Sequence, residues 1–302
     1  MKYLVTGGAG FIGSNLVDKL VADGHEVHVL DNFCSGKKEN CNEKANYYNL
    51  DISDSSLNRK FIEIMNNTYG LFHLAALPTV QLSIDDPITY EKNNTIGTLN
   101  MLKCAHDAKI KRFIYSGSSS VYGNTDKLPL KESDFVNPIS PYAAQKYYGE
   151  IYCKMFSQIY GLETVSLRYF NVYGERQNMD GAYALVIAIF IQQKINNKPL
   201  TIRGDGEQRR DFTYVGDVVE ANILAMKSNN VGLGEVINIG RGKNQSINQI
   251  AKTIGQKSIN IDPVVEPRKT LSDNSLAKKL LNWEPKMDVS NWIIEHKKSL
   301  GL

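Results

Sequence analysis

At 302 residues, 42% of them hydrophobic, the chain is long enough to bury a large core, as one big domain or two small ones. A net charge of +3 is too mild, and the lysines and arginines too scattered, for a nucleic-acid partner; Lys37-Lys38 and Lys297-Lys298 read as solvated surface. Cys34, Cys41, Cys104 and Cys153 form no CxxC or Cys/His cluster, so neither a metal site nor a disulfide framework is expected, and a reducing, cytoplasmic setting is. No signal-peptide core precedes Thr6-Gly7, and the one long apolar run, Ala182 to Ile191, is too short to cross a bilayer.

Lys2 to Thr6 is a short β-prone run, followed by Gly7, Gly10 and Gly13 at a spacing of three. Phe11, Ile12, Leu16, Val17, Leu20 and Val21 then recur at helical intervals, giving strand, tight Gly turn and helix. Glycines can merely punctuate a turn. Without a Cβ, however, such a turn also lets backbone N–H groups and a helix N-terminus face a pyrophosphate. The second β-prone run, Glu26 to Leu30, ends at Asp31, within about 20 residues of the turn, where a dinucleotide fold places the acid that holds the adenosine ribose. A carboxylate there favours a free 2′-OH and so NAD over NADP, although Lys37 and Lys38 lie close by.

Phe33 to Lys44 is polar and turn-like. Tyr47 to Leu50 reads as a third strand ending at Asp51-Ile52, and Leu57 to Met65 as a helix. Leu71 to Ala76 is nearly all apolar, as expected of a fourth strand buried on both faces. A long helix is expected over Pro87 to Ala108, a fifth strand over Arg112 to Ser116, a helix over Pro141 to Tyr160 and a sixth strand over Thr164 to Tyr169. This alternation means an α/β fold with a Rossmann-type, doubly wound parallel sheet. Beyond Asn171 the order is irregular: an apolar helix over 182–195, short strands, a helix near 217–227 and a strand at Val236 to Ile239. The chain therefore divides into a dinucleotide-binding domain over 1–170, with a returning segment near 230–258, and a smaller substrate-binding domain, mostly 171–302, over the carboxyl edge of the sheet.

Ser140 can cap the helix that begins at Pro141, a residue suited to the first helical position. Tyr142 and Lys146 are then one turn apart on one face. Alone, the pair could be a Tyr that packs and a Lys that solvates. The hydroxyl-rich stretch Ser116-Gly-Ser-Ser-Ser-Val-Tyr-Gly123 could likewise be a loop of local turns. Together, a Gly-rich cofactor turn, a hydroxyl after the fifth strand and a Tyr/Lys helix make a redox site.

At these residues the chain resembles the extended short-chain dehydrogenases and, within them, the NAD-dependent nucleotide-sugar epimerase/dehydratase family. The motifs are TGGAGFIG (6–13), DN (31–32), HLAAL (73–77), SGSSSVYG (116–123), YAAQK (142–146), RYFNVYG (168–174) and GDGEQRRDFTYVGDV (204–218). The resemblance covers almost the whole chain and implies NAD as cofactor. It implies cofactor contacts from Gly7, Gly10, Phe11, Ile12, Gly13, Asp31, Asn32, Asp51, Ile52, Ala75, Ala76, Tyr142 and Lys146. By the same resemblance Tyr142 is the acid/base, Lys146 holds the nicotinamide ribose and Ser118 hydrogen-bonds the reacting hydroxyl, with Ser119 beside it. Substrate contacts are expected from Asn171, Arg210 and Thr270. The usual Arg-x-Gly-Asp element near 266–273 is shortened, so Arg268 is either the second phosphate-binding Arg or a surface residue, and Arg209 reads as surface.

Relatives that expel water carry acids just before Val121-Tyr122-Gly123, and decarboxylases keep a Glu there. This chain has Ser119 and Ser120, which disfavours elimination and leaves a 4-epimerase acting on a UDP-sugar. An oxidoreductase that releases reduced cofactor, or a non-catalytic NAD-binding relative, stays open. Thr270, at a position where a bulky aromatic excludes an N-acetyl group, together with Ala75 to Ser83, resembles the UDP-N-acetylglucosamine 4-epimerases. The helices near 91–108 and 141–160, with Tyr147, Tyr148, Ile151, Tyr152, Met155 and Phe156, are expected to pair two copies into a homodimer.

Overall fold

In the computed structural model, which describes residues 1–178, 185–263 and 267–302, the β-prone run that opens the chain is a strand buried on both faces. The first half alternates: β1 (Lys2–Thr6), α1 (Phe11–Ala22), β2 (Glu26–Asp31), β3 (Asn46–Asn49), α2 (Asn58–Met65), β4 (Gly70–His73), α3 (Val80–Asp85), α4 (Pro87–Glu91), α5 (Gly97–Asp107), β5 (Arg112–Ser118), α6 (Pro141–Tyr160) and β6 (Glu163–Tyr169). Irregular order follows: β7 (Val172–Tyr173), α7 (Val186–Ile195), β8 (Leu200–Arg203), β9 (Arg209–Asp211), β10 (Thr213–Tyr214), α8 (Val215–Lys227), β11 (Leu233–Ile239), β12 (Asn244–Ser246), α9 (Ile247–Ile254), β13 (Ser258–Ile261), α10 (Ser275–Leu281) and α11 (Val289–Ser299). Of the apolar helix expected over 182–195, residues 182–184 lie outside the described residues.

Seven parallel strands form one sheet in the order β11-β6-β5-β4-β1-β2-β3. This is the Rossmann order with a seventh strand added beside β6. The period of two explains the two cores. Tyr3, Val5, Val27, Val29, Phe72 and Ile114 face α1, α8 and α10, while Leu4, Leu30, Leu71, Phe113 and Tyr115 face α2, α5 and α6. Each such side chain, fully buried, is worth about 1.5–3 kcal/mol. A third apolar cluster, with Ile187, Phe190, Ile202, Phe212, Ile250 and Trp292, joins α7, α9 and α11 over the carboxyl ends of the strands. Among the described residues no helix is long and apolar enough to cross a membrane.

Three details differ from the sequence expectation, the first two through contacts distant in sequence. The strand expected through Ala76 ends at His73, and the N–H of Ala75 is taken by Thr6 Oγ1. The single helix expected from Pro87 to Ala108 is interrupted by a π-turn, Lys92–Ile96. Within that turn Asn94 is drawn to the loop after β4, accepting from the N–H of Leu77 at 2.8 Å and donating to its carbonyl at 3.1 Å. The strand expected at Val236 to Ile239 begins earlier, at Leu233, and lies in the large sheet against β6.

Candidate functional site

The switch point of the sheet lies beside β1, where strand order runs outward through β4 on one side and β2 on the other. The turn after β1 needs its glycines. Gly7 has φ +72°, and a Cβ there would sit 2.7 Å from the N of Ala75. A Cβ on Gly13 would run into the Gly7 carbonyl and lie 2.9 Å from the Cα of Gly8. Chain therefore passes against chain at two points, and the N-terminus of α1 is left open to a cavity of about 880 Å³. Gly7, Gly10, Phe11, Ile12 and Gly13 line it, as do Asp31, Asn32, Ile52, Ala75 and Ala76. Asp31 is held in place, with Oδ2 accepting from Ala9 N at 2.9 Å and Oδ1 from Phe33 N at 2.8 Å. Asp51, between the lining residues Leu50 and Ile52, is not itself part of the lining. Its carboxylate accepts both the N–H and the hydroxyl of Ser53, so it shapes the loop that presents Ile52.

β5 runs on to Ser118, which places Ser118, Ser119 and Ser120 at the cavity wall. Ser118 Oγ accepts from the N–H of Ser120 at 3.2 Å and from its hydroxyl at 2.9 Å. Opposite, α6 starts as its sequence indicates: Ser140 caps Ala143 N at 3.2 Å and Pro141 occupies the first turn. Tyr142 and Lys146 both face the cavity. Lys146 Nζ donates to the Ser116 carbonyl at 2.9 Å and lies 6.0 Å from the centre of the Tyr142 ring. Burial pushes the Tyr142 phenol up to about 12, with the Ser118 hydrogen bond pulling down. Burial also pulls Lys146 down to about 8 against the attraction of Glu150. His73, in the HLAAL motif, is held neutral by burial, at about 3, between Thr6 Oγ1 and Thr98 Oγ1.

On the other wall Asn171, with φ +33°, donates from Nδ2 to Thr270 Oγ1 at 3.2 Å and to the Asp211 carbonyl at 3.3 Å. Asn171, Arg210 and Thr270 line the cavity. The buried Asp211 carboxylate ties this wall to the end of β11 and to the 270s, accepting from the N–H groups of Arg241, Gly242 and Ser272. Arg209 is no loose surface residue, since its guanidinium grips Asn244. Arg268 stands outside the cavity lining, its fork on the carboxylate of Asp205 at 2.8 and 2.6 Å. The arginine missed in the sequence is Arg203. It lines both the main cavity and a side pocket of about 290 Å³, and among the described residues nothing engages its guanidinium. The only signal for it is its place at the end of a β-prone run before Gly204.

The family model for the NAD dependent epimerase/dehydratase family matches residues 3–240, and the chain belongs to that family. A putative UDP-glucose 4-epimerase of Methanocaldococcus jannaschii is 43% identical over 82% of this chain and 79% of its own. The crystal structure of UDP-glucose 4-epimerase with UDP-glucose from Thermotoga maritima superposes with a TM-score of 0.93 at 39% identity, covering 99% of this chain and 100% of that one. UDP-N-acetylglucosamine 4-epimerase of Methanobrevibacter ruminantium, in complex with UDP-N-acetylmuramic acid, gives a TM-score of 0.90 at 37% identity, covering 98% of each. The protein is an enzyme fold of the NAD-dependent UDP-sugar epimerase family, and NAD is its cofactor. The site fits that cofactor on its own geometry: two close backbone approaches that a Cβ would block, an open helix N-terminus and a fixed carboxylate after β2.

Proposed function

We propose that the protein is a UDP-sugar 4-epimerase that inverts C4 of a UDP-hexose or UDP-N-acetylhexosamine through a 4-keto intermediate. One observation carries this reading. Among the described residues lining the cavity the only carboxylate is Asp31, at the far, adenosine end, while Ser119 and Ser120 stand where the resemblance implies elimination would need an acid. Tyr142 is then the group that takes the proton from the C4 hydroxyl and gives it back. Ser118 orients that hydroxyl, and Lys146 offers its remaining N–H groups to the nicotinamide ribose. Bound NAD supplies the reversible uptake of hydride from C4. Residues 1–170 and the returning strand would hold the cofactor, and mostly 171–302 the nucleotide sugar.

Arg210 and Arg203, both in the cavity lining, would hold the diphosphate, with the nucleoside in the side pocket. Arg203→Ala is expected to raise KM for a UDP-sugar by about 10–100-fold, the worth of a charge-assisted hydrogen bond. Arg268→Ala is expected to leave KM within about twofold, since its partner is the exposed Asp205. The reverse order in steady-state kinetics would return the phosphate to Arg268.

Thr270 leaves room beside the sugar, so N-acetylated substrates are accepted. A pocket that only tolerates extra volume discriminates by about 1–3 kcal/mol. Incubation with UDP-glucose and UDP-N-acetylglucosamine, without added reductant and read by NMR, is expected to yield the 4-epimers of both. A requirement for stoichiometric NAD(P)H would make the protein a reductase, and intact NAD binding without turnover a binding protein.

The working unit is proposed to be a cytoplasmic homodimer. Tyr148, Ile151, Met155 and Ile159 of α6 are exposed in the single chain, whereas Phe156 is buried against the sheet helices. A monomer in light scattering at micromolar concentration would reject the pairing.

A further inference from the structure

Three charged side chains lie in the interior behind the Tyr/Lys helix: Lys146, Glu150 and Arg168, each at most 5% exposed. Lys146 and Glu150 are one turn apart on α6 and so share a face. Arg168, on β6, grips the Glu150 carboxylate with both arms of its fork, Nε to Oε1 at 2.9 Å and Nη2 to Oε2 at 2.7 Å. The end of β5 passes between these groups. Lys146 Nζ donates to the carbonyl of Ser116, and a Cβ on Gly117 would lie 3.2 Å from Glu150 Oε1. The same Cβ would lie 3.1 Å from the Leu167 carbonyl oxygen, so the glycine lets the strand end pass between β6 and the carboxylate, directly before the hydroxyl of Ser118.

Other groups facing Lys146 cannot balance its charge. Tyr115 (ring centre 5.3 Å away), Tyr142 and His73 are neutral around pH 7. The Glu150 carboxylate is the anion on its side; burial pushes its own proton affinity up, and the Arg168 fork opposes that only in part.

We propose that Glu150, held by Arg168, is a positioning residue of the site: it keeps the Lys146 ammonium charged and seats the Ser116–Ser118 strand end that carries the substrate-facing hydroxyl. This rests on the assignment of Lys146 and Ser118 to the reaction proposed above. It also gives a reason for the buried arginine before Tyr169 in the RYFNVYG motif, which is not among the residues that line the cavity.

The test is the titration of Lys146, followed by its ¹³Cε resonance in lysine-labelled protein with NAD bound and assigned with Lys146→Met. Glu150→Gln is expected to lower the midpoint by about one pH unit or more, and to move the alkaline fall of kcat with it. Removing one partner leaves Arg168 buried without its anion and can unfold the chain. The double variant Glu150→Gln/Arg168→Met, with neither charge, is the second arm, and its midpoint is expected below wild type because Glu150 is the charge that acts on Lys146. A midpoint unmoved in either folded variant, with kcat lowered evenly at all pH, would overturn the proposal and leave the pair a packing feature. The titration needs no turnover, so its outcome is independent of whether UDP-sugars are epimerised.

Discussion

Tyr142→Phe is expected to lower kcat by about a thousandfold while NAD binding and folding stay as they are. The phenol is buried against the Ser118 hydroxyl, and no other described cavity residue near it can move a proton at C4. Burial alone works against it: at about 12, the phenol would hold its proton too tightly to act as a base near neutral pH. The counterweight must be positive charge, and the site has two sources. One is Lys146, a turn away; the other is the cationic ring of the oxidised cofactor. Activity therefore depends on Lys146 keeping its proton. With Lys146 at about 8, kcat is expected to fall as pH rises through that value. Steady-state kinetics of Tyr142→Phe beside NAD titration calorimetry separates the roles. Activity within a few-fold of wild type would remove Tyr142 from the mechanism.

Gly13→Ala is expected to abolish measurable NAD binding and to destabilise the fold by about 1–3 kcal/mol, the usual range for forced overpacking. The added methyl meets the Gly7 carbonyl, with the Gly7 carbonyl carbon at 2.8 Å and Gly8 Cα at 2.9 Å. All are backbone atoms of the turn itself, so none can swing aside as a side chain would. The turn must open, and its N–H groups leave the positions that face the cofactor. Gly24→Ala is the control: a Cβ there meets nothing within 4 Å, although its φ of +79° adds strain. Calorimetry and thermal denaturation on the two variants distinguish a blocked cradle from a general intolerance of lost glycine. Wild-type NAD affinity in Gly13→Ala would show that the close approach is not needed.

What could be read from the sequence is what local chemistry controls. The Gly turn, Asp31 and the capped Tyr142/Lys146 helix each announce themselves within a few residues, because a tight turn, a strand end and an i,i+4 pair are short-range events. Arg203 was illegible for the opposite reason. Its place at the cavity wall with Arg210 depends on β8 pairing with β13, nearly sixty residues later, and on β9 pairing with β12. For Arg268 the sequence leaves phosphate ligand and surface residue open, and only the fold shows its fork on Asp205. The same holds for the π-turn. An apolar period continues through Pro87 to Ala108, while the break comes from Asn94 reaching for Leu77, seventeen residues earlier. No local motif singles out Glu150; only the packing of α6 on β6 brings Arg168 onto its carboxylate.

The Asp211 carboxylate, fixed by three backbone N–H groups, makes the substrate wall answer to acidity separately from the fold. Burial pushes this acid up to about 6 against the pull of those donors. Because its native pKa lies above the unfolded value near 4, the folded chain binds the proton more readily, and linkage predicts that its protonation does not itself cost global stability. Three charge-assisted bonds are nevertheless weakened at one point, where Arg210, Thr270 and the end of β11 meet. Below pH 6 the enzyme should therefore lose its grip on the sugar nucleotide before it loses its shape, an acid limb written in KM rather than in melting temperature.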